Sequence, residues 1–438
     1  MKRVLTGINT TGTLHIGNYV GAIRPAIRAS HDPDVESFFF LADLHALIKC
    51  QDPERVSRSR KQIAATWLAC GLDPEKVTFY RQSDLPQIPT LAWLLACSTS
   101  KGQMNRAHAY KAVLEANQGR QEDPDAGVSM GLFCYPILMA ADILMFNADY
   151  VPVGRDQLQH LEMARDAATR FNNTYGREFF HMPQAVSDTE HDVLPGLDGR
   201  KMSKSYNNVI PLFEGGEKAL RAAISQIKTD SLLPGEPKDP SSSSVTPLYE
   251  AFSTPEEAKA FKDALVRGMS WADAKEALFK KINGEIGPMR ERYDALIAEP
   301  AKLEEILQMG AAKARALAAP FLAELTRATG LAPFTEGAAS PVKEKEKKAV
   351  PVIKQYREKD GRFYFKLVDE NGRLLIQSHG FVSGKEAGLV IQSLKKHGFG
   401  SIMEQIDLAE GVTPPEISAA LEAIEAALEA KKEARSKI

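Results

Sequence analysis

A lysine-containing loop near the middle of the chain carries the residues best suited to chemistry. The segment Lys201-Met202-Ser203-Lys204-Ser205 places two ammonium groups three residues apart, with serine hydroxyls between and beside them. Lysine offers a compact positive charge to phosphate oxygens, and serine adds short neutral donors. We therefore predict a mobile clamp that closes on a polyphosphate. A solvated basic loop is the alternative that this segment alone leaves open.

A second phosphate-binding pattern lies near the N-terminus. Residues 3–8 predict a short buried strand, a Gly/Thr/Asn-rich turn follows, and residues 15–29 fit a helix. The first amides of a helix lack internal partners and point at a bound anion. His15 and Asn18 share one face of the first turn, although His15 taken alone is more often a cap or surface residue. Neither a Gly-x-Gly-x-x-Gly motif nor a Walker loop is present.

Together these motifs give a specific resemblance. The runs 15–18 and 201–205 resemble the two hallmark motifs of class I aminoacyl-tRNA synthetases, and within that class the chain is most similar to bacterial tryptophan–tRNA ligases. Further matching runs are Gly17–Ala22, Ala42–Ala46, Tyr135–Asp142 and Val151–Gln157. The resemblance covers roughly residues 1–332. It implies an enzyme that uses ATP and Mg²⁺, with L-tryptophan and tRNA(Trp) as partners, and a homodimer.

The resemblance also implies a set of residues that contact ATP. Of these, Lys201 and Lys204 are expected to close over the departing pyrophosphate, while His15 and Asn18 hold the α-phosphate and ribose region. The attacking carboxylate is already an anion, so the reaction needs charge stabilisation and in-line positioning rather than a general base. Mg²⁺ should bridge the phosphates mostly through water, so no metal-binding side chains are expected. The ATP-binding set is Asn9, Thr10, Thr11, Gly17, Asn18, Gly154, Asp156, Val193, Leu194, Lys201, Met202, Ser203, Lys204 and Ser205.

Lys111 completes the catalytic set. It matches a basic family residue that approaches the phosphates, but a surface lysine is nearly as good an interpretation. Three departures from the family pattern accompany the match. Asn9-Thr10-Thr11 stands where Gln-Pro-Ser is commoner, His15 where Thr is usual, and Arg155 where an acid is commoner. We assign Arg155 no family role.

Selection of the amino acid is predicted to depend on one helix. Tyr135, Met139 and Asp142 fall at i, i+4 and i+7 and so share a face. An aspartate on an otherwise apolar helix needs a partner. That partner could be backbone or an arginine, or the carboxylate could accept the indole N–H of tryptophan. Gln157, Asn9 and His45 join the tryptophan-binding set by resemblance.

Two alternatives remain at the level of sequence. A phenol can also donate to Asp142, so a tyrosine–tRNA ligase, which shares the fold and both motifs, is the nearer one. The other is a non-catalytic paralogue that binds RNA or senses an amino acid.

The alternation of elements predicts an α/β fold. Apolar runs at 36–42, 77–81 and 151–153 alternate with helical patterns at 53–70, 86–96, 136–146 and 154–170. This order indicates a Rossmann-like parallel sheet with ligands at the carboxyl ends of its strands. We predict a catalytic domain over 1–212 and an all-helical region over 213–334. By resemblance the latter contacts the tRNA anticodon, although a helical dimerisation element would show the same pattern.

The remaining sequence predicts a small α+β module. Residues 335–350 have the alternating Lys and Glu of a solvated linker. Two strand patterns then flank Asn371-Gly372, a strong hairpin signal, and a helical pattern follows at 384–397. Residues 351–412 resemble a YegP-like ββα module, and 413–438 predict a C-terminal helix. We predict no catalytic role for this part, and an accessory RNA-binding or solubility role is open.

Composition narrows the setting. The 438 residues contain 55 Lys and Arg against 57 Asp and Glu, so a nucleic acid must meet a local basic patch. The four cysteines are widely spaced, which argues against a zinc site or a disulfide framework. No apolar run reaches the ~18 residues of a membrane span, and no signal-peptide core is present. We therefore expect a cytoplasmic protein without membrane insertion.

Overall fold

The computed structural model describes residues 1–154, 157–186, 194–334 and 350–436. It divides into two compact units, Met1–Ser340 and Pro341–Ile438. The division falls inside the predicted linker, of which residues 335–349 lie outside the described part.

A five-stranded parallel sheet forms the centre of the first unit. Its order is β3-β2-β1-β4-β5, with every neighbouring pair parallel. The chain passes from β1 to β2 on one side and reaches β4 on the other, so the sheet has a switch point at the carboxyl end of β1. This confirms the Rossmann-like prediction. The strands are β1 (Lys2–Ile8), β2 (Val35–Leu41), β3 (Thr78–Arg81), β4 (Tyr150–Pro152) and β5 (Gln184–Val186).

Helices cover both faces of this sheet. Alternate residues of β2 enter two different apolar clusters, Phe38 and Phe40 on one side and Phe39 and Leu41 on the other. A strand buried on both faces reads as a continuous apolar run, which is how β2 appears in the sequence. The helices up to β5 are α1 (Ile16–Asn18), α2 (Arg24–Ala29), α3 (Asp43–Ala46), α4 (Pro53–Ala69), α5 (Gln87–Ser98), α6 (Lys101–Met104), α7 (His108–Arg120), α8 (Met130–Met145) and α9 (Leu158–Thr174).

Several of these boundaries differ from the sequence prediction. The helix expected over 15–29 is α1 and α2 joined by a π-helical turn, Tyr19–Ile23. Helix α8 begins before Pro136, because the Ser129 hydroxyl caps it by accepting a hydrogen bond from the Leu132 amide. Proline inside a helix removes one backbone hydrogen bond, which is why the pattern suggested a start there. Helix α7 and strand β5 were not predicted.

After β5 the first unit is mainly helical. The helices are α10 (Gly216–Ser225), α11 (Val245–Glu250), α12 (Pro255–Val266), α13 (Trp271–Ala298) and α14 (Pro300–Ala328). None of the helices among the described residues is long and apolar enough to cross a membrane.

Helix α14 lies directly against the sheet. A Cβ on Gly310 would come 1.7 Å from the Phe79 carbonyl oxygen, so the helix backbone touches β3. Beyond that contact, Arg315 Nη1 donates to the Asp84 carbonyl at 3.0 Å. Arg81 Nη1 and Nη2 donate to the Glu304 carboxylate, each at 2.6 Å. Helix α14 is therefore part of the wall of the sheet domain.

The described residues of the second unit form a four-stranded antiparallel sheet with two α-helices. Gly372 adopts φ 84° in the β7–β8 connection, as the Asn-Gly pattern predicted. The first and last strands were not predicted. The sheet order is β6 (Val352–Arg357), β7 (Phe363–Val368), β8 (Leu374–Ser378) and β9 (Ile406–Leu408), and the helices are α15 (Gly384–His397) and α16 (Pro414–Ser436).

Replacing Gly310 with alanine should destabilise the protein. The added methyl group would meet the β3 backbone, and overpacking of this kind costs about 1–3 kcal/mol. Gly284→Ala in α13 is the matched control, because a Cβ there has no neighbour within 4 Å and alanine favours a helix by up to about 1 kcal/mol. Thermal midpoints from calorimetry should fall for Gly310→Ala only. Equal midpoints for the two variants would show that the helix and strand are not in direct contact.

Candidate active site

A cavity of about 470 Å³ opens at the carboxyl ends of β1, β2 and β4. Asn9 and Thr11 line it from the loop after β1, and Gly154 lines it from the segment after β4. Five further residues of the predicted site line the same cavity: Tyr135, Met139, Asp142, His45 and Gln157. The helical spacing of the three α8 residues thus places all of them on one side of one cavity.

Asp142 is the buried acidic residue of this cavity. Its residue is 1% exposed, and its two carboxylate oxygens accept hydrogen bonds from Gln82 Nε2 at 2.9 and 2.8 Å. His45 Nε2 donates to Oδ2 at 3.1 Å. Burial raises the pKa of Asp142, while the bonds from His45 and Gln82 oppose that rise. A carboxylate has about four acceptor positions, so these three bonds leave room for one donor from a ligand.

Gln82 was missed by the sequence analysis. It follows β3 directly, its side chain is fully buried, and its Oε1 accepts a hydrogen bond from the Leu44 amide at 3.1 Å. The next residue, Ser83, donates its hydroxyl to Asp43 at 2.6 Å, and Asp43 also pairs with Arg60 at 2.9 Å. The available signal was a polar run at the carboxyl end of a buried strand, where ligand contacts concentrate.

A second hydrogen-bonded chain joins Tyr135 to Gln157 through His160. Tyr135 Oη donates to His160 Nε2 at 2.6 Å, and His160 Nδ1 donates to Gln157 Oε1 at 2.8 Å. These directions require a neutral imidazole with its proton on Nδ1. His160 is buried and was not predicted. It orients two side chains that line the cavity.

His15 and Asn18 form a reciprocal cap at the start of α1. The Asn18 amide donates to His15 Nδ1 at 3.3 Å, and the His15 amide donates to Asn18 Oδ1 at 3.1 Å. Because Nδ1 accepts, the imidazole proton lies on Nε2. Burial, and then the charge of Lys204, lower the pKa of His15 to about 4. His15 is therefore a neutral hydrogen-bond donor near pH 7 and not a cation.

The two phosphate motifs meet at the loop after β1. Lys204 Nζ donates to the Thr11 carbonyl at 3.2 Å and lies 2.9 Å from where a Cβ on Gly12 would stand. Partial burial, and then the charge of Arg55, lower the pKa of Lys204. Gly17 is equally constrained, because its Cβ would lie 3.0 Å from His15 Nδ1 and 3.4 Å from Met202 Sδ. The lysine loop and the helix start therefore share one region.

Asn208 supports the lysine loop from within. Its Oδ1 accepts from the Ser203 amide at 2.8 Å, and its Nδ2 donates to Asp198 at 2.7 Å and to the Lys201 carbonyl at 3.1 Å. The bond to Asn208 is the main reason that the pKa of Asp198 falls to about 2. Asn208 is 2% exposed, and the sequence analysis missed it.

Other predicted residues of this loop have different surroundings. Met202 and Leu194 are buried in an apolar cluster, and the Met202 amide donates to the Leu194 carbonyl at 3.0 Å. The hydroxyl groups of Ser203 and Ser205 form a hydrogen bond of 2.8 Å with each other. The side chain of Lys201 is exposed. Met202 therefore anchors the loop, while Lys201 remains accessible to a ligand.

The remaining predicted positions are Thr10, Lys111, Asp156 and Val193. Thr10 is 1% exposed, and its Oγ1 has no hydrogen-bond partner among the residues described. Lys111 is exposed on α7 and is not one of the residues lining the cavity. Asp156 and Val193 lie outside the described residues, as does Arg155. Across the described ranges, no three His, Cys, Asp or Glu side chains are grouped as a metal site.

Comparison with known proteins gives consistent matches. The family model for tRNA synthetases class I (W and Y) matches residues 1–285. Tryptophan–tRNA ligase of Xanthomonas axonopodis pv. citri is 57% identical over 424 residues, which is 96% of this chain and 98% of that protein. The Bordetella pertussis tryptophan–tRNA ligase is 59% identical over 396 residues, which is 90% of this chain and 87% of that protein.

Solved structures agree with the sequence matches. The crystal structure of Campylobacter jejuni tryptophanyl-tRNA synthetase, complexed with ADP and tryptophan, is 39% identical with a TM-score of 0.69. The match covers 75% of this chain and 100% of that one.

The buried imidazole of His15 should make stability depend on pH. Its pKa is about 4 in the folded chain against an ordinary 6.5, so protonation favours unfolding. The stability it contributes is present above pH 6.5 and is lost as the pH falls towards 4. Denaturant unfolding between these values should show a steeper loss for the wild type than for His15→Asn. The exposed His31 provides the control, His31→Asn, which should follow the wild type. Parallel curves for wild type and His15→Asn would contradict the assignment.

Proposed function

Since this chain belongs to the class I tRNA synthetases of the W and Y type, we propose that it joins L-tryptophan to tRNA(Trp) at the expense of ATP. One observation carries the proposal. A buried acceptor, Asp142, lines the same cavity as Thr11, whose carbonyl binds the lysine of the phosphate loop. An amino-acid pocket and a polyphosphate site that share a loop are what adenylate formation requires.

In the first step the tryptophan carboxylate attacks the α-phosphorus of ATP. A carboxylate oxygen–phosphorus bond forms, the bond to the β-phosphate oxygen breaks, and pyrophosphate leaves with its electron pair. His15, through Nε2–H, donates a hydrogen bond to the α-phosphate region. Lys201 and Lys204 stabilise the negative charge of the leaving pyrophosphate. Mg²⁺ bound to ATP would supply further positive charge to the phosphates, and no side chain is proposed to hold it.

In the second step a hydroxyl of the terminal adenosine of tRNA attacks the activated carbonyl. The ester bond to tRNA forms, and AMP departs. The helical region, residues 213–334, is proposed to contact the anticodon part of the tRNA, and residues 1–212 to form the catalytic domain. We also propose that the enzyme works in the cytoplasm, where translation takes place.

Selection of tryptophan follows from the polar content of the pocket. The indole N–H is the only polar group of the tryptophan side chain, and Asp142 has one acceptor position left for it. A smaller apolar side chain would leave that buried carboxylate short of a donor and the cavity partly empty. The tyrosine alternative is less well supported, since the relatives at 57% and 59% identity are tryptophan–tRNA ligases. The same identities disfavour a non-catalytic paralogue.

We propose a homodimer as the working form. Two large apolar side chains of the first unit, Trp93 on α5 and Met130 at the start of α8, are 70% and 71% exposed. Aromatic side chains and methionine are enriched in the buried cores of protein interfaces, so a contact between subunits would cover these two residues. Light scattering of the full chain gives the mass directly.

Amino-acid-dependent exchange of pyrophosphate into ATP tests the proposed activity. We expect exchange with tryptophan and at least tenfold less with tyrosine. Lys204→Ala should lower the exchange rate at least tenfold, because the charge that stabilises pyrophosphate is lost. Lys218→Ala, at an exposed lysine of α10, is the control and should match the wild type. Tyrosine-dependent exchange at the tryptophan rate would overturn the substrate assignment, and full activity of Lys204→Ala would overturn the clamp.

Gln82→Ala should weaken tryptophan binding. Removing its amide leaves Asp142 with fewer donors, which raises the pKa of the carboxylate further and weakens it as an acceptor. A hydrogen bond to a charged group is worth about 1.5–3 kcal/mol, so the KM for tryptophan should rise roughly 10- to 150-fold. Gln103 is also buried and donates to a carboxylate, Asp166, at 3.1 Å, so Gln103→Ala is the matched control. An unchanged KM in Gln82→Ala would exclude the positioning role.

A further inference from the structure

Two stacked tyrosines stand on one face of the sheet in the second unit. Tyr356 on β6 is paired with Tyr364 on β7, and their ring centroids are 5.9 Å apart at an interplanar angle of 23°. Lys354 and Lys366 form the next pair on the same face, two residues along each strand. The Lys366 ammonium lies 5.5 Å from the centre of the Tyr356 ring. This face therefore combines flat aromatic surface with positive charge.

The apolar core of the unit does not account for these tyrosines. Residues on the alternate positions of the same strands, Ile353, Phe365 and Leu367, belong to the apolar cluster that also includes residues of α15 and α16. Side chains alternate between the two faces of a strand, so the tyrosines point away from that core. Both are only half-buried. Packing against the core of this unit therefore does not explain why two stacked rings and two lysines lie together on this face.

The rings are held in place before any ligand arrives. Tyr356 Oη donates to Gln377 Oε1 at 3.0 Å, and Tyr364 Oη donates to Asp360 Oδ2 at 2.6 Å. A Cβ on Gly380 would lie 2.7 Å from Tyr364 Oη and 2.9 Å from Arg362 Cδ. A glycine at that position leaves the ring edge uncovered. Rings fixed in this way lose little conformational entropy on binding.

Charge distinguishes the class of ligand. Arg362 lies beside Tyr364 and adds a third cation to the two lysines. Among the acidic groups nearby, Asp360 accepts a hydrogen bond from the Tyr364 hydroxyl, Asp407 on β9 pairs with His379 at 3.2 Å, and Glu358 is close enough for its charge to act on Tyr364. An apolar or acidic peptide would use one of these two features, whereas a polyanion with exposed aromatic bases would use both.

We propose that this face binds single-stranded RNA. Bases stack on Tyr356 and Tyr364, and the flanking phosphates contact Lys354, Lys366 and Arg362. Sheets that present aromatic rings beside basic side chains bind unpaired nucleotides in this way, with stacking for the bases and charge for the backbone. The site lies in the second unit, so it is additional to the tRNA contacts proposed for the first and does not depend on them.

Fluorescence anisotropy of the full chain with a labelled single-stranded RNA of roughly 12 nucleotides tests the proposal. Tyr356→Leu with Tyr364→Leu should weaken binding at least tenfold by removing both stacking platforms. Lys354→Gln with Lys366→Gln should also weaken it at least tenfold. The slope of log affinity against log salt should become shallower by about 1.4, since each lost phosphate contact in single strands contributes about 0.7.

Controls separate this site from general charge and from the enzyme reaction. Lys395→Gln with Lys396→Gln removes two exposed lysines from the last turn of α15 and should leave affinity unchanged. Tryptophan-dependent pyrophosphate exchange should be the same in the wild type and in all three double variants. If the wild type shows no exchange, that result contradicts the proposed function and leaves the RNA-binding proposal standing. The lysine variant alters only surface groups and provides the test if the tyrosine variant does not fold. Wild-type affinity in the lysine variant, or an equal loss in the α15 control, would overturn the proposal.

Discussion

A buried carboxylate governs the amino-acid half of this protein. Asp142 must be supplied with donors, because an unpaired charge in a protein interior costs several kcal/mol. Its donors come from Gln82, after β3, and His45, in α3 after β2. Three separate segments must therefore converge before α8 can hold a charge. The sheet provides that convergence, since the carboxyl ends of β2 and β3 lie side by side.

The nucleotide half has the opposite electrostatic character. Here positive charges gather: partial burial, and then the neighbouring Arg55, lower the pKa of Lys204, although the charge of Glu214 opposes that shift. Burial, and then the charge of the same lysine, lower the pKa of His15 and favour the neutral imidazole. A triphosphate arriving at this region would remove the repulsion. The tension between these groups thus favours an anionic ligand over an empty site.

The part of the site that depends on local periodicity could be predicted, and the part that depends on contacts across the fold could not. The spacing of Tyr135, Met139 and Asp142 placed them on one wall because a helix repeats every 3.6 residues. Gln82 and His160 act on partners 60 and 25 residues away, and no local pattern signals such pairs. Strand β5 has three residues, too few for a visible alternation. The proline in α8 concealed the start of that helix, since the cap, Ser129, lies about two turns before Pro136.

The direct seating of α14 on β3 bears on where this polypeptide can be cut. The family match ends at residue 285, inside α13, and so does not include α14. Three residues of α14, Ala311, Ala314 and Leu325, nevertheless belong to the apolar cluster that contains Leu5 and Tyr80. A fragment that ends where the family match ends would lack α14. The apolar surface of the sheet would then be exposed to solvent and prone to aggregation. A fragment that keeps this cover extends through the end of α14 at residue 328.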